Sequence, residues 1–391
     1  MNLKKKSWVE ISRNKLLSNI ATIRSCVGNN QKIGAMLKGN AYGHGILETL
    51  ECIAHEVDLF CVIAPEDAIN IHRYLLNNNI KGKRILVVGP VNETEIISLC
   101  DAGVEIAIAD LGWESFISKL KKYSLKNKIK VHIYIDTGLG REGIANNDLS
   151  SLLFLERAKD LIDIVGVMTH FSNADIIGPP EYAKLQLENF YKGIDVLRSL
   201  ISGSEKWQFH TSASSPSLLF QDAIGDFIRP GIGLYGHWTS PETEWSCKIK
   251  HQRSVMLMPA LSWRCETQII KRLNAGCATG YDLAYICQKP MTIGVLPIGY
   301  YDGYPYQASG KSYVLIKGKR CPILGNIMMN NIVVDLTDIE VSSSIEEQAV
   351  ATLIGNDGDE TITAEMVAKW SNSINYQVLT GIGDHLKRII V

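Results

Sequence analysis

From residue 32 to 236 the chain alternates short, continuous apolar runs with longer amphipathic segments. The runs are KIGAMLK (32–38), LFCVIA (59–64), RILVVG (84–89), VEIAIAD (104–110), KVHIYID (130–136), IVGVMTH (164–170), WQFHTSAS (207–214) and FIRPGIGLYG (227–236). Apolar, β-branched runs without alternation read as strands covered on both faces. The segments between them, such as PEDAINIHRYLLNNN and GPPEYAKLQLENFYKGIDVLRSLIS, read as helices. Eight such units predict an α/β fold, a (β/α)₈ barrel of about 205 residues. Ahead of them, ISRNKLLSNIATIRSCV places Leu16, Leu17, Ile20 and Ile23 on one helical face.

The texture changes after residue 237. HWTSPETEWSCK is polar and irregular, and the boundary is placed there. The division is 1–240 for the barrel and 241–391 for a mostly β domain. The opening residues are candidates to pair with that second domain. In it, SYVLIKGKRCPIL reads as a hairpin about Lys317-Gly318, NNIVVDLTD as a strand, and AEMVAKWSNSI as a helix capped by Thr363.

Composition narrows the class. The chain has 391 residues, 46% hydrophobic and 21% charged, with 40 basic against 41 acidic residues and a net charge of -1. Such balance gives no footing for nucleic acid or an anionic membrane surface. MNLKKKSWVEIS has three lysines but no apolar segment behind them, so it does not read as a secretory signal. No apolar run is long enough to span a bilayer. The nine cysteines form no CxxC pair and no metal-ligand spacing. They read as reduced thiols in a cytoplasmic protein, and no metal site is expected.

Barrel enzymes carry their chemistry at the C-terminal ends of the strands. Lys38 ends the first predicted strand, Asp136 and Arg141 follow the fifth, and His170 ends the sixth. His210 and Ser214 lie in and after the seventh, and Arg229 lies in the eighth, before Pro230-Gly231-Ile232. The stretch AMLKGNAYGHG (35–45) sets one amine among apolar neighbours and follows it with glycines. Desolvation lowers an amine's pKa and frees its lone pair, which suits a Schiff-base lysine. A glycine-rich turn with hydroxyls nearby suits a phosphate held by backbone N–H groups. Together they suggest pyridoxal phosphate.

AMLKGNAYGHG closely resembles the cofactor-attachment motif of the bacterial alanine racemases. So do IDTGLGREGI (135–144), VMTHFSNAD (167–175), IRPGIGLYG (228–236), TGYDLAY (279–285), IGYYDGYP (298–305) and INYQVL (374–379), in matching order along the chain. The resemblance implies an N-terminal barrel, a C-terminal β domain, and a head-to-tail homodimer with shared active sites. It implies pyridoxal 5'-phosphate as cofactor, a small amino acid as substrate, and D-alanine supply for peptidoglycan. By motif, Lys38 would carry the cofactor and Tyr281 would be the second base. Arg229 would face the pyridine nitrogen. His170 would stack on the ring and link Tyr281 to Arg229, and that pair would supply the positive charge a phenol needs to act near neutrality. Arg141 would contact the ring hydroxyl and the substrate carboxylate. Tyr42, Ser214, Gly231, Ile232 and Tyr376 would hold the phosphate. The backbone N–H of Met329 would bind the carboxylate, and Tyr300 would line the entrance.

Racemisation takes a proton from one face of a flat adduct and returns one to the other, so two bases are the natural solution. Three positions depart from the family pattern. Tyr134 stands where many members carbamylate a lysine, Asn330 replaces an aspartate, and Ala213 replaces an asparagine. The substrate reading therefore stays open between alanine and serine or a broader set. A decarboxylase of the same barrel type and a non-catalytic pyridoxal-phosphate carrier are the remaining alternatives. The first lacks its glycine-rich phosphate run here, and the second would lack the domain that carries Tyr281.

Overall fold

A computed structural model describes residues 6–120, 122–123, 125–175, 181–340 and 349–391. Lys4 and Lys5 of the basic start, and residues 178–180 of the long segment before the seventh run, lie outside the described residues. The chain forms two compact units. One comprises Asn14–Lys38 and Leu50–Met258, the other Met1–Arg13, Gly39–Thr49 and Pro259–Val391.

The first unit opens with the helix Arg13–Val27, whose Leu16, Ile20 and Ile23 are buried as the periodicity requires, while Leu17 is only half-buried. Strand β1 (Ser7–Ile11) precedes it and belongs to the other unit. The barrel strands are β2 (Lys32–Met36), β3 (Leu59–Val62), β4 (Arg84–Val87), β5 (Glu105–Ile108) and β6 (Ile129–Asp136), with the short β7 (Ile144–Ala145) beside β6. They continue as β8 (Ile162–Met168), β9 (Gln208–His210) and β10 (Phe227–Ile228). All pair in parallel, in the order β10-β2-β3-β4-β5-β6-β8-β9, so the eight apolar runs give a nearly closed parallel barrel. At the seam, Asp226 N–H donates to the Phe209 carbonyl at 2.7 Å and Arg229 N–H to the Ser212 carbonyl at 2.8 Å. β3 and β5 are buried along their whole length because helices cover their outer faces.

The stretch at 237–248 that reads as irregular is largely helical. Ser240 Oγ accepts from Thr243 N–H at 3.2 Å, and Pro241 sits where its missing N–H costs nothing. The helix Pro241–His251 belongs to the barrel unit.

The second unit is built on β1, β11 (Leu261–Glu266), β12 (Ile269–Leu273), β13 (Ala278–Thr279), β14 (Tyr285–Ile286) and β15 (Met291–Leu296). Then come β16 (Tyr313–Ile316), β17 (Lys319–Pro322), β18 (Ile332–Asp335), β19 (Val350–Asp357), β20 (Glu360–Ile362) and β21 (Lys387–Ile390). The main sheet runs β17-β16-β19-β11-β1-β21, with β20 on β19. β1 pairs antiparallel with β11 and parallel with β21, so both ends of the described chain are stitched into one sheet. A second sheet runs β12-β15-β18, and β13 and β14 form a separate ribbon. β11 alternates buried and half-buried residues, as expected for a sheet with one face in the core. The hairpin at Lys317-Gly318 forms, with both residues at positive φ. Thr363 caps the late helix through its hydroxyl, at 3.1 Å from Met366 N–H. That helix ends at Trp370 rather than running on through Ser371–Ile374, because Asn372 turns left-handed.

Candidate active site

In the barrel unit, Lys38 lies just beyond β2. Tyr235 Oη donates to the Met36 carbonyl at 3.0 Å, and Met36 N–H donates to the Pro230 carbonyl at 3.0 Å, which fixes the end of the strand. Among the described residues the Lys38 amine has no carboxylate partner. Burial and the charge of Arg141 lower its pKa, with Glu142 opposing.

Directly after Lys38 the backbone makes a left-handed turn. Gly39, Asn40, Ala41 and Tyr42 have φ of 62°, 50°, 55° and 53°. A non-glycine residue costs roughly 1–2 kcal/mol in this region, so the second unit must hold the turn in place. Asn40 Nδ2 donates to Asp384 at 2.6 Å, and its Oδ1 accepts from Ile46 N–H at 3.0 Å. Arg388 Nη2 donates to the Gly43 carbonyl at 3.1 Å. Gly43 is obligatory, since a Cβ there would stand 2.0 Å from the Leu379 carbonyl oxygen. The turn presents Tyr42 to Tyr376, their ring centroids 6.1 Å apart.

Arg229 is fully buried in the barrel, and its hydrogen bonds can be accounted for donor by donor. Nη1 donates to His210 Nδ1, in a short contact, and to the His210 carbonyl at 2.8 Å. Nη2 donates to the carbonyls of Thr169 at 2.7 Å and Thr211 at 3.2 Å. The four Nη hydrogens are thus used. Nε–H has no partner among the described residues.

His210 continues inward. Its Nε2 lies 2.9 Å from His132 Nδ1, and His132 Nε2 lies 2.9 Å from the Glu105 carboxylate, which also takes two hydrogen bonds from Arg84. The directions follow from the two ends. Arg229 only donates and an ionised carboxylate only accepts, so His132 and His210 are both neutral with hydrogen on Nε2. Burial lowers the pKa of both imidazoles, although Glu105 opposes this at His132. Burial would raise the Glu105 carboxyl, but its bonds and charge contacts with His132 and Arg84 outweigh that and hold it at about 2. Gly166 makes room for the chain, because a Cβ there would stand 2.3 Å from His132 Nδ1. Glu105 and His132 escaped the sequence reading. Their only signal is a polar residue inside an otherwise apolar strand.

No hydrogen bond joins His170 to Arg229 among the described residues. Burial and the charges of Arg229, Arg141 and Lys38 hold the His170 pKa at about 3, so the imidazole is neutral and, of the two, only Arg229 is charged. Arg141 is half-exposed and pairs with Glu142 in a short contact. Asp136 is structural: its Oδ1 accepts from the N–H groups of Gly138, Leu139 and Gly140 at 2.9, 2.9 and 3.1 Å, shaping the loop that carries Arg141. The hydroxyl of Tyr134 is buried near Arg141; burial raises the phenol's pKa, and the charges of Arg229 and Arg141 oppose this.

Ser214 opens the short helix Ser214–Leu219, with Ala213 before it offering no side-chain cap. Its Oγ accepts from the N–H of Gly231 at 2.9 Å and of Gly233 at 3.2 Å, so these amides converge beside Ile232. Such convergence suits an anion's oxygens.

The second unit carries the remaining candidates. Tyr281 follows β13 and is 70% exposed. Tyr300 N–H donates to the Met328 carbonyl at 3.1 Å and Tyr301 N–H to the Met329 carbonyl at 3.0 Å, which brings Tyr300 beside Met329. The Met329 N–H has no acceptor among the described residues, and Asn330 follows it.

The alanine racemase N-terminal domain family matches residues 11–239, and its C-terminal domain family matches residues 260–390. The chain belongs to the alanine racemase family. It is 33% identical over 390 residues to an alanine racemase of Leptospira interrogans, covering 98% of this chain and 96% of that protein. It is 32% identical over 389 residues to one of Methylacidiphilum infernorum, covering 98% and 92%. The solved alanine racemase of Bacillus anthracis with bound L-Ala-P superposes with a TM-score of 0.87 at 28% identity, covering 100% of this chain and 96% of that one. That of Clostridium difficile gives 0.87 at 27%, covering 100% and 97%. The seven motifs therefore identified the family correctly, along with the barrel-plus-sheet architecture and an enzyme of the isomerase class. No helix among the described residues is long and apolar enough to cross a membrane.

Proposed function

We propose that this member of the family interconverts L-alanine and D-alanine with pyridoxal 5'-phosphate, using Lys38 and Tyr281 as bases on opposite faces. The observation that carries the reading is Arg229: wholly buried, its Nη hydrogens spent on the barrel, its Nε–H left over. That donor suits an unprotonated pyridine nitrogen. The desolvated amine of Lys38, without a carboxylate partner among the described residues, and the amides converging at Ser214 suit the other two ends of the same molecule. When bound, the cofactor supplies an electron sink that acidifies the substrate's α-hydrogen.

The chain's own residues do the rest. Lys38 Nζ holds or delivers the proton on one face and the Tyr281 phenol on the other. Arg229 keeps the pyridine nitrogen unprotonated, which weakens the sink and limits side reactions. Gly231, Ile232 and Ser214, with Tyr42 and Tyr376, hold the phosphate. Arg141 and the Met329 amide orient the substrate carboxylate, His170 covers the ring, and Tyr300 narrows the approach. The protein works as a cytoplasmic homodimer, each site drawing Lys38 from one chain and Tyr281 from the partner, and supplies D-alanine for peptidoglycan.

Purified protein supplied with pyridoxal phosphate is tested against each L-amino acid by chiral chromatography. D-alanine as the leading product is the expected result. D-serine in excess of D-alanine would move the assignment to a serine racemase, and no D-amino acid at all would overturn it. Mixing Lys38→Ala chains with Tyr281→Phe chains tests the shared site. Each mixed dimer regains one intact site, so roughly a quarter of the activity should return.

A further inference from the structure

Away from the candidate active site, the barrel unit brings together two cysteines from opposite ends of its sequence. Cys26 lies in the last turn of the helix Arg13–Val27, and Cys247 lies midway along Pro241–His251. Cys26 packs against the cluster of Leu218, Leu219, Cys247 and Val255, which places the two thiols in one pocket of the barrel unit. Cys247 is fully buried, whereas Cys26 keeps access to solvent. The surroundings are basic. Arg253 Nη2 is held by the Ser25 carbonyl and hydroxyl at 3.1 and 2.8 Å and stands 3.7 Å from Cys26 Sγ. His251 Nε2 lies 3.0 Å from the Leu218 carbonyl, and Lys250 and Asp222 complete the charged groups nearby.

We infer that Cys26 and Cys247 form a peroxide-reactive dithiol, with Cys26 the attacking thiolate and Cys247 the resolving thiol. A hydrogen bond from Cys247, helped by the charges of His251 and Arg253, holds the Cys26 thiol below its ordinary pKa despite partial burial. The same bond and burial push Cys247 up. Burial likewise pushes up Cys61, Cys100, Cys265 and Cys321, so these thiols stay protonated. In the first step the Cys26 sulfur attacks one oxygen of hydrogen peroxide. The O–O bond breaks, hydroxide leaves, and Cys26 becomes a sulfenic acid. In the second step Cys247 gives up its proton and its sulfur attacks that of Cys26. The S–O bond breaks, water leaves, and a disulfide joins the two helices. Two thiols lose two electrons and two protons, and one peroxide becomes two waters.

The test treats the full chain with stoichiometric hydrogen peroxide at neutral pH and maps it without reductant. A linked Cys26–Cys247 peptide that dithiothreitol dissolves is expected. In Cys247→Ser, dimedone should instead label Cys26, and in Cys26→Ser neither product should form. Independently of any variant, iodoacetamide at pH 6 should label Cys26 at least about tenfold faster than the exposed Cys277. Oxidation that begins at Cys277, or labelling of Cys26 no faster than Cys277, overturns the inference.

Discussion

Replacing Glu105 with glutamine tests the buried chain beneath Arg229. Glutamine keeps the shape and removes the charge. The carboxyl sits at about 2 in the folded protein against an ordinary 4.5, a difference of 2.5. At about 1.4 kcal/mol per unit, the folded barrel prefers the ionised over the neutral group by roughly 3 kcal/mol, which is the expected loss at pH 7. The group is almost wholly buried, so solvent screening does not discount it heavily. Because the folded pKa is depressed, the contribution is complete above about 4.5 and fades as pH falls toward 2. The gap between the two proteins should therefore stay level from pH 7 to 5 and shrink to roughly 2 kcal/mol by pH 3.5. Hydrogen exchange of peptides from β5, β6 and β8 across a urea series reads the barrel's own unfolding. A cost under ~1 kcal/mol at pH 7, or one that is the same at pH 3.5, would refute the account.

The same variant need not reverse the chain. The glutamine oxygen can take the place of the carboxylate oxygen that His132 and Arg84 Nη2 share, leaving its amide toward Arg84 Nε, which can turn to solvent. His132 and His210 should keep hydrogen on Nε2. Nitrogen NMR of labelled protein reports this directly, and hydrogen on His210 Nδ1 would break the derivation.

Lys38→Ala should abolish activity and the visible absorbance of protein incubated with pyridoxal phosphate while leaving the fold intact; stable labelling at another lysine after borohydride would remove Lys38 from its role. Tyr281→Phe should retain that absorbance and lower turnover by ~10²–10⁴-fold. Its α-hydrogen exchange in deuterated water should become unequal between enantiomers, and equal exchange would refute the second-base role. His210, held well below its usual range, and His170, held at about 3, stay neutral in the fold while the unfolded chain takes up protons below about 6.5. Their stabilising contribution is present above that pH and is lost as pH falls, by about 2 kcal/mol each between pH 7 and 5. Denaturation midpoints indifferent to pH over that range would contradict it.

The barrel was legible because each strand is a continuous apolar run, a pattern that only coverage on both faces explains. The rim residues were legible because polar groups at the ends of such runs stand out. Three features were hidden for physical reasons. The helix Pro241–His251 has a weakly segregated apolar face, so only its Ser240-Pro241 start marks it. The left-handed turn after Lys38 advertises Gly39 and Asn40, but nothing in Ala41 or Tyr42 suggests positive φ, since that conformation is imposed by bonds to residues near 384 and 388. The Glu105–His132–His210 chain depends on three side chains from different strands pointing inward at one level, a register the sequence does not display.

That chain bears on the charge at the candidate site. A carboxylate placed directly against Arg229 would take two of its hydrogens and cancel much of its field. Here the carboxylate stands two imidazoles away, and each imidazole passes on a hydrogen bond while staying neutral. Arg229 gains an ordered seat that uses its four Nη hydrogens, yet its charge is not neutralised by contact. The guanidinium cannot deprotonate, and its fixed Nη bonds fix the direction of Nε–H. The residue that faces the site is therefore a permanent cation with one aimed donor. It can bind an acceptor, and it offers no proton that an acceptor could take. A ring nitrogen held there would resist protonation, because protonating it would set a new positive charge against an immovable one in a buried setting.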